Sequence, residues 1–228
     1  MRQVRGRVWR AGVPQDDFEF AALSGYLDDP DTVVWVDIYD PDHAAFTELA
    51  AELGLNLWAV EDAVAEAERT KATVYPTHTF VTVYAVTTAD PGDTGNRLTL
   101  HRISAFVLPQ ALITVRLPPH LDISAVSLRI DELSGPQHGI GSLLHALLDV
   151  VVDGHFAAIQ VLDDAIEALE DDLFSSSRPS KDLPQRTFQL RKDLVRLRRV
   201  VLPMREVVNA IQRHRVERQS GPALDPHY

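Results

Sequence analysis

Three groups of acidic side chains stand out in this 228-residue chain. Asp163–Phe174 reads DDAIEALEDDLF, six carboxylates among twelve residues with no basic residue to balance them. Glu61 and Asp62 are adjacent in WAVEDAVAEAER, and His145, Asp149 and Asp153 recur at i, i+4 and i+8. Clustered carboxylates hold hard cations, work as general acid and base, or simply solvate a helix face. Neighbouring helical residues point about 100° apart, so Glu61 and Asp62 do not form a side-by-side pair, yet each can reach a cation lodged against that edge. His145, Asp149 and Asp153 share one helical face. Oxygen ligands there suit Mg2+ or Ca2+, and the imidazole shifts preference toward a transition ion. From the residue types alone, a solvated face and a metal ligand both stay open.

Other chemistry is narrower. There is no cysteine, which excludes disulfides, thiolate zinc sites and a cysteine nucleophile. No Walker loop, dinucleotide-binding glycine fingerprint, nucleophile elbow, HExxH pattern or EF-hand loop is present. His78, His101, His120, His138 and His155 are scattered. No carboxylate group is accompanied by a nucleophile, a base and a phosphate cradle, so the expectation is a protein that is not an enzyme. The net charge of −11 repels nucleic acid and anionic lipid and favours cations or basic partners. The basic N-terminus, MRQVRGRVWRAG, lacks the apolar segment of a secretory signal. No uncharged apolar run approaches the ~18–20 residues of a spanning helix, so the chain as it stands is expected to be soluble.

The elements that position these residues divide at about residue 135. Val33–Ile38 is β-branched and ends at Asp40-Pro41, a turn leading into a predicted helix over Asp42–Leu53. A short helix over Trp58–Glu68 follows, with Arg69 and Lys71 as a cation cluster at its C-terminal end. Val74–Tyr75, Phe80–Thr87, Leu98–Leu108 and Leu112–Arg116 read as strands, with a loop at Asp90–Asp93, and Leu121–Leu133 as a helix. Consecutive strands imply an α/β domain over residues 1–135 with a mixed or partly antiparallel sheet.

Residues 136–218 change character. Ile159, Leu162, Ile166, Leu169 and Leu173 alternate at spacings of three and four, and so do Leu190, Leu194, Leu197, Val201, Met204, Val208 and Ile211. Joined by the breaker-rich SSSRPSKDLP, these two seams predict a long antiparallel helical hairpin, kinked at Pro203. Asp149–Asp172 holds eight carboxylates, while Arg186–Arg218 holds ten Lys or Arg against three acids. Antiparallel pairing therefore predicts opposite charges facing each other along the seam, each exposed pair contributing ~0.2–1 kcal/mol. A soluble hairpin scaffold binding a basic partner is one function compatible with that composition.

Four segments, in order, resemble the CorA-type magnesium/cobalt transporters: LNLWAVEDAVAEAERTKATVY (Leu55–Tyr75), LLHALLDVVVDGHF (Leu143–Phe156), DDAIEALEDDLF, and QLRKDLVRLRRVVLPMREVVNAI (Gln189–Ile211). The LRR…LPMREV run is the most specific of them, and the resemblance covers about Val33 to Arg215. It implies an α/β/α sandwich followed by the hairpin, as the cytoplasmic part of a homopentameric inner-membrane channel. It also implies a regulatory, weakly bound Mg2+ between neighbouring subunits that holds the pore closed. The family's sensor carboxylates map onto Glu61 and Asp62, with a further one on Asp149; His145 and Asp153 are secondary candidates. Residues 219–228 would then be a linker toward a stalk helix, pore and membrane helices lying beyond Tyr228. The transported ion, Mg2+ or Co2+, or Zn2+ as in zinc-transporting relatives, is not specified. Where many members have His-Gln-Arg-Pro-Lys, this chain has Ala67-Glu68-Arg69-Thr70-Lys71.

Overall fold

Val4, Gly6 and Val8 alternate with arginines at the chain's start, and this period of two folds as the strand Gln3–Arg10 (β1), which the sequence reading left without an element. A Cβ at Gly6 would lie 2.2 Å from the Phe18 ring that covers the strand, so a larger residue there must displace that ring. The computed structural model describes residues 3–89, 97–175 and 180–220. The expected loop at Asp90–Asp93, the centre of the SSSRPSKDLP turn and the linker beyond residue 220 lie outside the described residues.

After β1 come Val13–Gln15 (β2), Leu23–Leu27 (α1), Thr32–Tyr39 (β3), His43–Glu52 (α2), Leu57–Val64 (α3), Lys71–Val74 (β4), Thr79–Thr88 (β5), Leu98–Val107 (β6), Ala111–Arg116 (β7) and Ser124–Glu132 (α4). Asp42 caps α2 by accepting from the Ala45 N–H at 3.1 Å, as the Asp-Pro-Asp turn predicts. The seven strands form one mixed sheet in the order β2-β1-β3-β7-β6-β5-β4. Only β3 and β7 are parallel; the remaining pairs are antiparallel.

Strand alternation sends Val34, Val36, Ile38, Phe106 and Ile113 to one face, under α1, α2 and α3. Trp35, Val83, Ile103 and Leu112 go to the other, under α4 and the long helices that follow. The expected α/β/α sandwich is therefore present. A buried ion pair lies on the second face: Arg116 Nε and Nη2 donate to the two Asp37 oxygens at 2.8 and 2.6 Å, and Thr114 Oγ1 donates to Asp37 at 2.8 Å.

Two local expectations change. The helix expected over Trp58–Glu68 stops at Val64, because Arg102 on β6 reaches over and donates from Nη2 to the carbonyls of Ala63 and Ala65. A buried guanidinium thus terminates α3 and meets its negative dipole end. Arg69 and Lys71 are consequently not a helix-end cluster; Lys71 opens β4, whose strand is displaced from the expected Val74–Tyr75.

Ile140–Ser175 (α5), Leu183–Val201 (α6) and Met204–Ser220 (α7) complete the chain. Pro203 separates α6 from α7, as its missing N–H and ring demand. The buried stripe of α6 departs from the predicted seam at two positions, each shifted by one residue: it runs Leu190, Asp193, Leu197, Val200 in place of Leu190, Leu194, Leu197, Val201, and Leu194 is 41% exposed. On α5, Leu162 is buried but Ile159 and Leu173 are exposed. Asp193 enters the stripe because cations meet it there: Arg97 Nη1 lies 3.6 Å and Arg196 Nη1 3.9 Å from its oxygens, and Gln189 Nε2 donates at 3.2 Å. The expected charge zipper is reduced to one contact. Among the described residues, Arg186–Asp172 at 2.9 Å is the only ion pair between α5 and α6, and Asp163, Asp164, Glu167, Glu170 and Asp171 face solvent.

The hairpin shares its core with the sandwich. Leu143, Leu147 and Val151 of α5 and Met204 and Val207 of α7 belong to the same cluster as Trp9 and Ile123. By length and composition α5 is the one described helix able to cross a membrane, yet much of its apolar side is buried on the sheet.

Three histidines are core residues: His78 stacks on Tyr75, His101 bonds Thr87 Oγ1 at 2.8 Å, and His155 Nε2 bonds the Tyr84 carbonyl at 2.8 Å. Burial pushes all three pKa values below the ordinary imidazole range. The unfolded chain then binds more protons than the fold below about pH 6.5, so stability falls as pH drops. Urea midpoints should decline from pH 7.5 to 5.5, and the decline should shrink in His155→Gln. A flat profile across that window would contradict the assignment.

Candidate functional site

Asn56 caps α3 by accepting from the Trp58 N–H at 3.0 Å, which fixes the helix start and so the orientation of Glu61 and Asp62 one turn later. Ala59, Val60 and Ala63 are buried against the sheet, leaving Glu61 exposed and Asp62 half-buried at the layer's rim. Leu57 and Trp58, 61% and 72% exposed, stand beside them as apolar surface without cover from this chain.

Asp62 does not face solvent alone. Lys71 Nζ bonds its Oδ2 at 2.6 Å and reaches Glu68 Oε2 at 3.2 Å, so one ammonium serves two carboxylates. Burial opposes the Lys71 charge, but Asp62 and Glu68 outweigh it and hold the pKa above the ordinary lysine value. The loop that carries Glu68 is tied down from both sides. Tyr84 donates its hydroxyl to the Glu68 carbonyl, and Thr70 Oγ1 donates to the Val200 carbonyl of α6 at 3.3 Å. Glu61 has no ion-pair partner among the described residues.

Asp149 and Asp153 lie on α5, on the opposite layer of the sandwich, and a second cation takes them both. Arg129 of α4 places Nη1 on Asp149, Nη2 on Asp153 at 2.8 Å and Nε on Glu132 at 2.9 Å. The Asp153 bond is the largest cause holding the Arg129 pKa above its ordinary value. His145 is exposed one turn before Asp149 and takes no part in this clamp. Among the described residues no three His, Asp or Glu side chains converge to hold a metal ion. The structure thus keeps Glu61 and Asp62 together, keeps Asp149 and Asp153 together, and separates the two groups by the sheet. Lys71 and Arg129, which set the charge at both places, were not recognised as partners of Asp62 and Asp149 from the sequence, since these pairs are nine and twenty residues apart and at no helical spacing.

A cleft of about 580 Å³ opens at the carboxyl ends of β3 and β7, lined in part by Asp40, His43, Glu66 and Arg102. It holds none of the predicted ligands.

Residues 30–228 match the family model described as CorA-like Mg2+ transporter protein. The chain belongs to this family. Within it, the chain is 41% identical over 71 residues to the cobalt/magnesium transport protein CorA of Thermotoga maritima, covering 31% of this chain and 20% of that protein. It is 26% identical over 185 residues to the putative metal ion transporter YfjQ of Bacillus subtilis, covering 78% of this chain and 53% of that one. The chain therefore spans about half the length of that relative. The soluble domain of CorA from Methanocaldococcus jannaschii superposes with a TM-score of 0.64 at 19% identity, covering 89% of this chain and 77% of that one. The cytoplasmic domain of ZntB from Vibrio parahaemolyticus does so with 0.61 at 12% identity, covering 83% and 71%. Both share the CorA-like fold.

Proposed function

We propose that the chain is the cytoplasmic, Mg2+-responsive part of a CorA-type transporter of Mg2+ and Co2+, assembled as a homopentamer at the cell inner membrane. In this reading Glu61 and Asp62 of one copy meet a neighbouring copy across a divalent ion, and Asp149 supplies a second contact of the same kind. His145 and Asp153 are accessory to it.

The observation that carries the reading is the rim of α3, where exposed Leu57 and Trp58 adjoin Glu61 and Asp62. An apolar pair beside acids suits a surface covered by another copy, with an ion neutralising the charge. The donor set is sparse within one chain, and Mg2+ tolerates that because it keeps several waters and takes one or two carboxylates. When bound, the ion supplies only charge neutralisation and bridging; the chain's residues position the carboxylates and leave the contact incomplete without a second copy. Ion occupancy then favours the assembled closed arrangement by its higher affinity for that arrangement.

Titration calorimetry of the 228-residue chain tests this. Weak Mg2+ binding is expected, with Asp62→Asn weakening it about tenfold or more, since even the outer partners of metal ligands typically contribute that much. Unchanged heats in Asp62→Asn would remove Asp62 from the ligand set. Parallel titrations with Co2+ and Zn2+ rank the regulatory ions.

A further inference from the structure

We propose that Lys71 and Arg129 are built-in counter-ions that occupy Asp62 and Asp149 when no divalent ion is present, so that ion capture at each carboxylate is an exchange of one cation for another. This rests on the reading of Asp62 and Asp149 as cation ligands. It adds to that reading a residue-level control of affinity by the chain's own basic side chains.

Two independent places carry it. At the α3 rim, the 2.6 Å bond from Lys71 to Asp62 and the 3.2 Å contact to Glu68 put a single positive charge between two acids. At the α4–α5 junction, Arg129 fans its three nitrogens over Asp149, Asp153 and Glu132. The elements differ, the layers differ and the basic residue types differ, yet the arrangement is the same: one cation shared among carboxylates. Each cluster keeps at least one acid in excess of its cation, so each retains net negative charge to attract an incoming ion.

The pairs are suited to exchange. The Lys71 and Asp62 side chains are 19% and 30% exposed, and those of Arg129 and Asp149 28% and 34%. Ion pairs a fifth to a third exposed are still open enough to solvent to be displaced, and strong enough to bias a competing equilibrium. Their strength sets the affinity threshold. A Mg2+ ion must neutralise the acid better than the side chain it displaces, and a released Lys71 or Arg129 is free to swing to solvent on its long stem. The consequence is deliberate weakness: full occupancy requires an ion concentration well above what the bare carboxylates would need.

Calorimetry with MgCl2 on the full chain decides it. Lys71→Gln should bind Mg2+ about three- to tenfold tighter than wild type, the range expected when such an ion pair no longer competes. Lys71→Arg, which keeps the charge, should return to wild-type affinity. Arg129→Gln should tighten binding by a similar factor through Asp149. A second readout follows Lys71 itself: its acylation, read by mass spectrometry, should quicken when Mg2+ is added, because the ion takes its shielding partner. Equal or weaker Mg2+ binding by a natively folded Lys71→Gln overturns the exchange while leaving Asp62 as a ligand. Should Lys71→Gln fail to fold, Arg129→Gln decides alone, and unchanged affinity there overturns the proposal. Loss of the ligand assignment shows differently: Asp62→Asn would then leave wild-type heats intact.

Discussion

Asp37→Ala should destabilise the fold by about 3–5 kcal/mol, the loss expected when one partner of a buried ion pair is removed. Asp37 and Arg116 side chains are 2% and 4% exposed, and the guanidinium is held by both Asp37 oxygens and by the Leu121 carbonyl at 2.5 Å. Trp35 Nε1 donates to Thr114 Oγ1 at 3.2 Å, and Thr114 donates onward to Asp37, so the acid also anchors a polar chain between the two parallel strands. Removing the carboxylate leaves the buried Arg116 charge with the Leu121 carbonyl and the Tyr39 ring, 5.3 Å away, and no counter-ion. In a chain of this size the change amounts to roughly 10 °C in Tm. The pairing itself is a different matter from its rupture: Asp37→Leu with Arg116→Met should recover most of the loss, because well-packed apolar replacements of buried pairs are often neutral. Chemical denaturation of the three proteins measures this. A loss below about 1 kcal/mol in Asp37→Ala would show that water reaches Arg116.

Gly154→Ala is expected to destabilise by about 1–3 kcal/mol, although alanine is the better helix former. A Cβ at residue 154 would stand 2.7 Å from the Val86 carbonyl oxygen, and backbone cannot swing away as a flexible side chain does. Helix α5 would have to lift from β5, opening the contacts of Val151 and Ala158 on either side. The same substitution at Gly141, in the first turn of the same helix with nothing within 4 Å, should be neutral or stabilising by up to about 1 kcal/mol. Opposite signs at two glycines of one helix would isolate the close approach as the cause. Equal effects in urea denaturation would dismiss it.

Much of this architecture could be read from local pattern. β-Branched and apolar runs located β3, β5, β6 and β7, and the three-and-four alternation located the long helices. What failed was set by distant residues. Ala65 to Glu68 all have adequate helix propensity, yet the backbone turns extended at Ala65, where Arg102, 37 residues further on, takes the last carbonyls of α3. On α6 two interleaved stripes share Leu190 and Leu197. Counting apolar residues favours the one with Leu194, whereas Arg97 and Gln189 bring Asp193 inside. The N-terminal strand carries its alternation in Val4, Gly6 and Val8, but interleaved arginines give the segment the composition of a basic leader. For the site, periodicity offered only acids on helix faces. Glu61, Asp62 and Asp149 were singled out by family resemblance, and their partners Lys71 and Arg129, nine and twenty residues away, needed the fold to be seen.

The placement of α7 has a mechanical meaning. Met204 and Val207 lock this helix into the sheet's core, and its contacts fall chiefly on β4, the strand at the sheet's edge that begins with Lys71. The Thr70–Val200 bond fastens the residue before that lysine to the helix just upstream. A pull or twist along α7 therefore loads the edge strand first, and the ammonium at its head moves relative to an Asp62 anchored in another layer. A force along this rod would thereby reach the charge pairing on the molecule's rim.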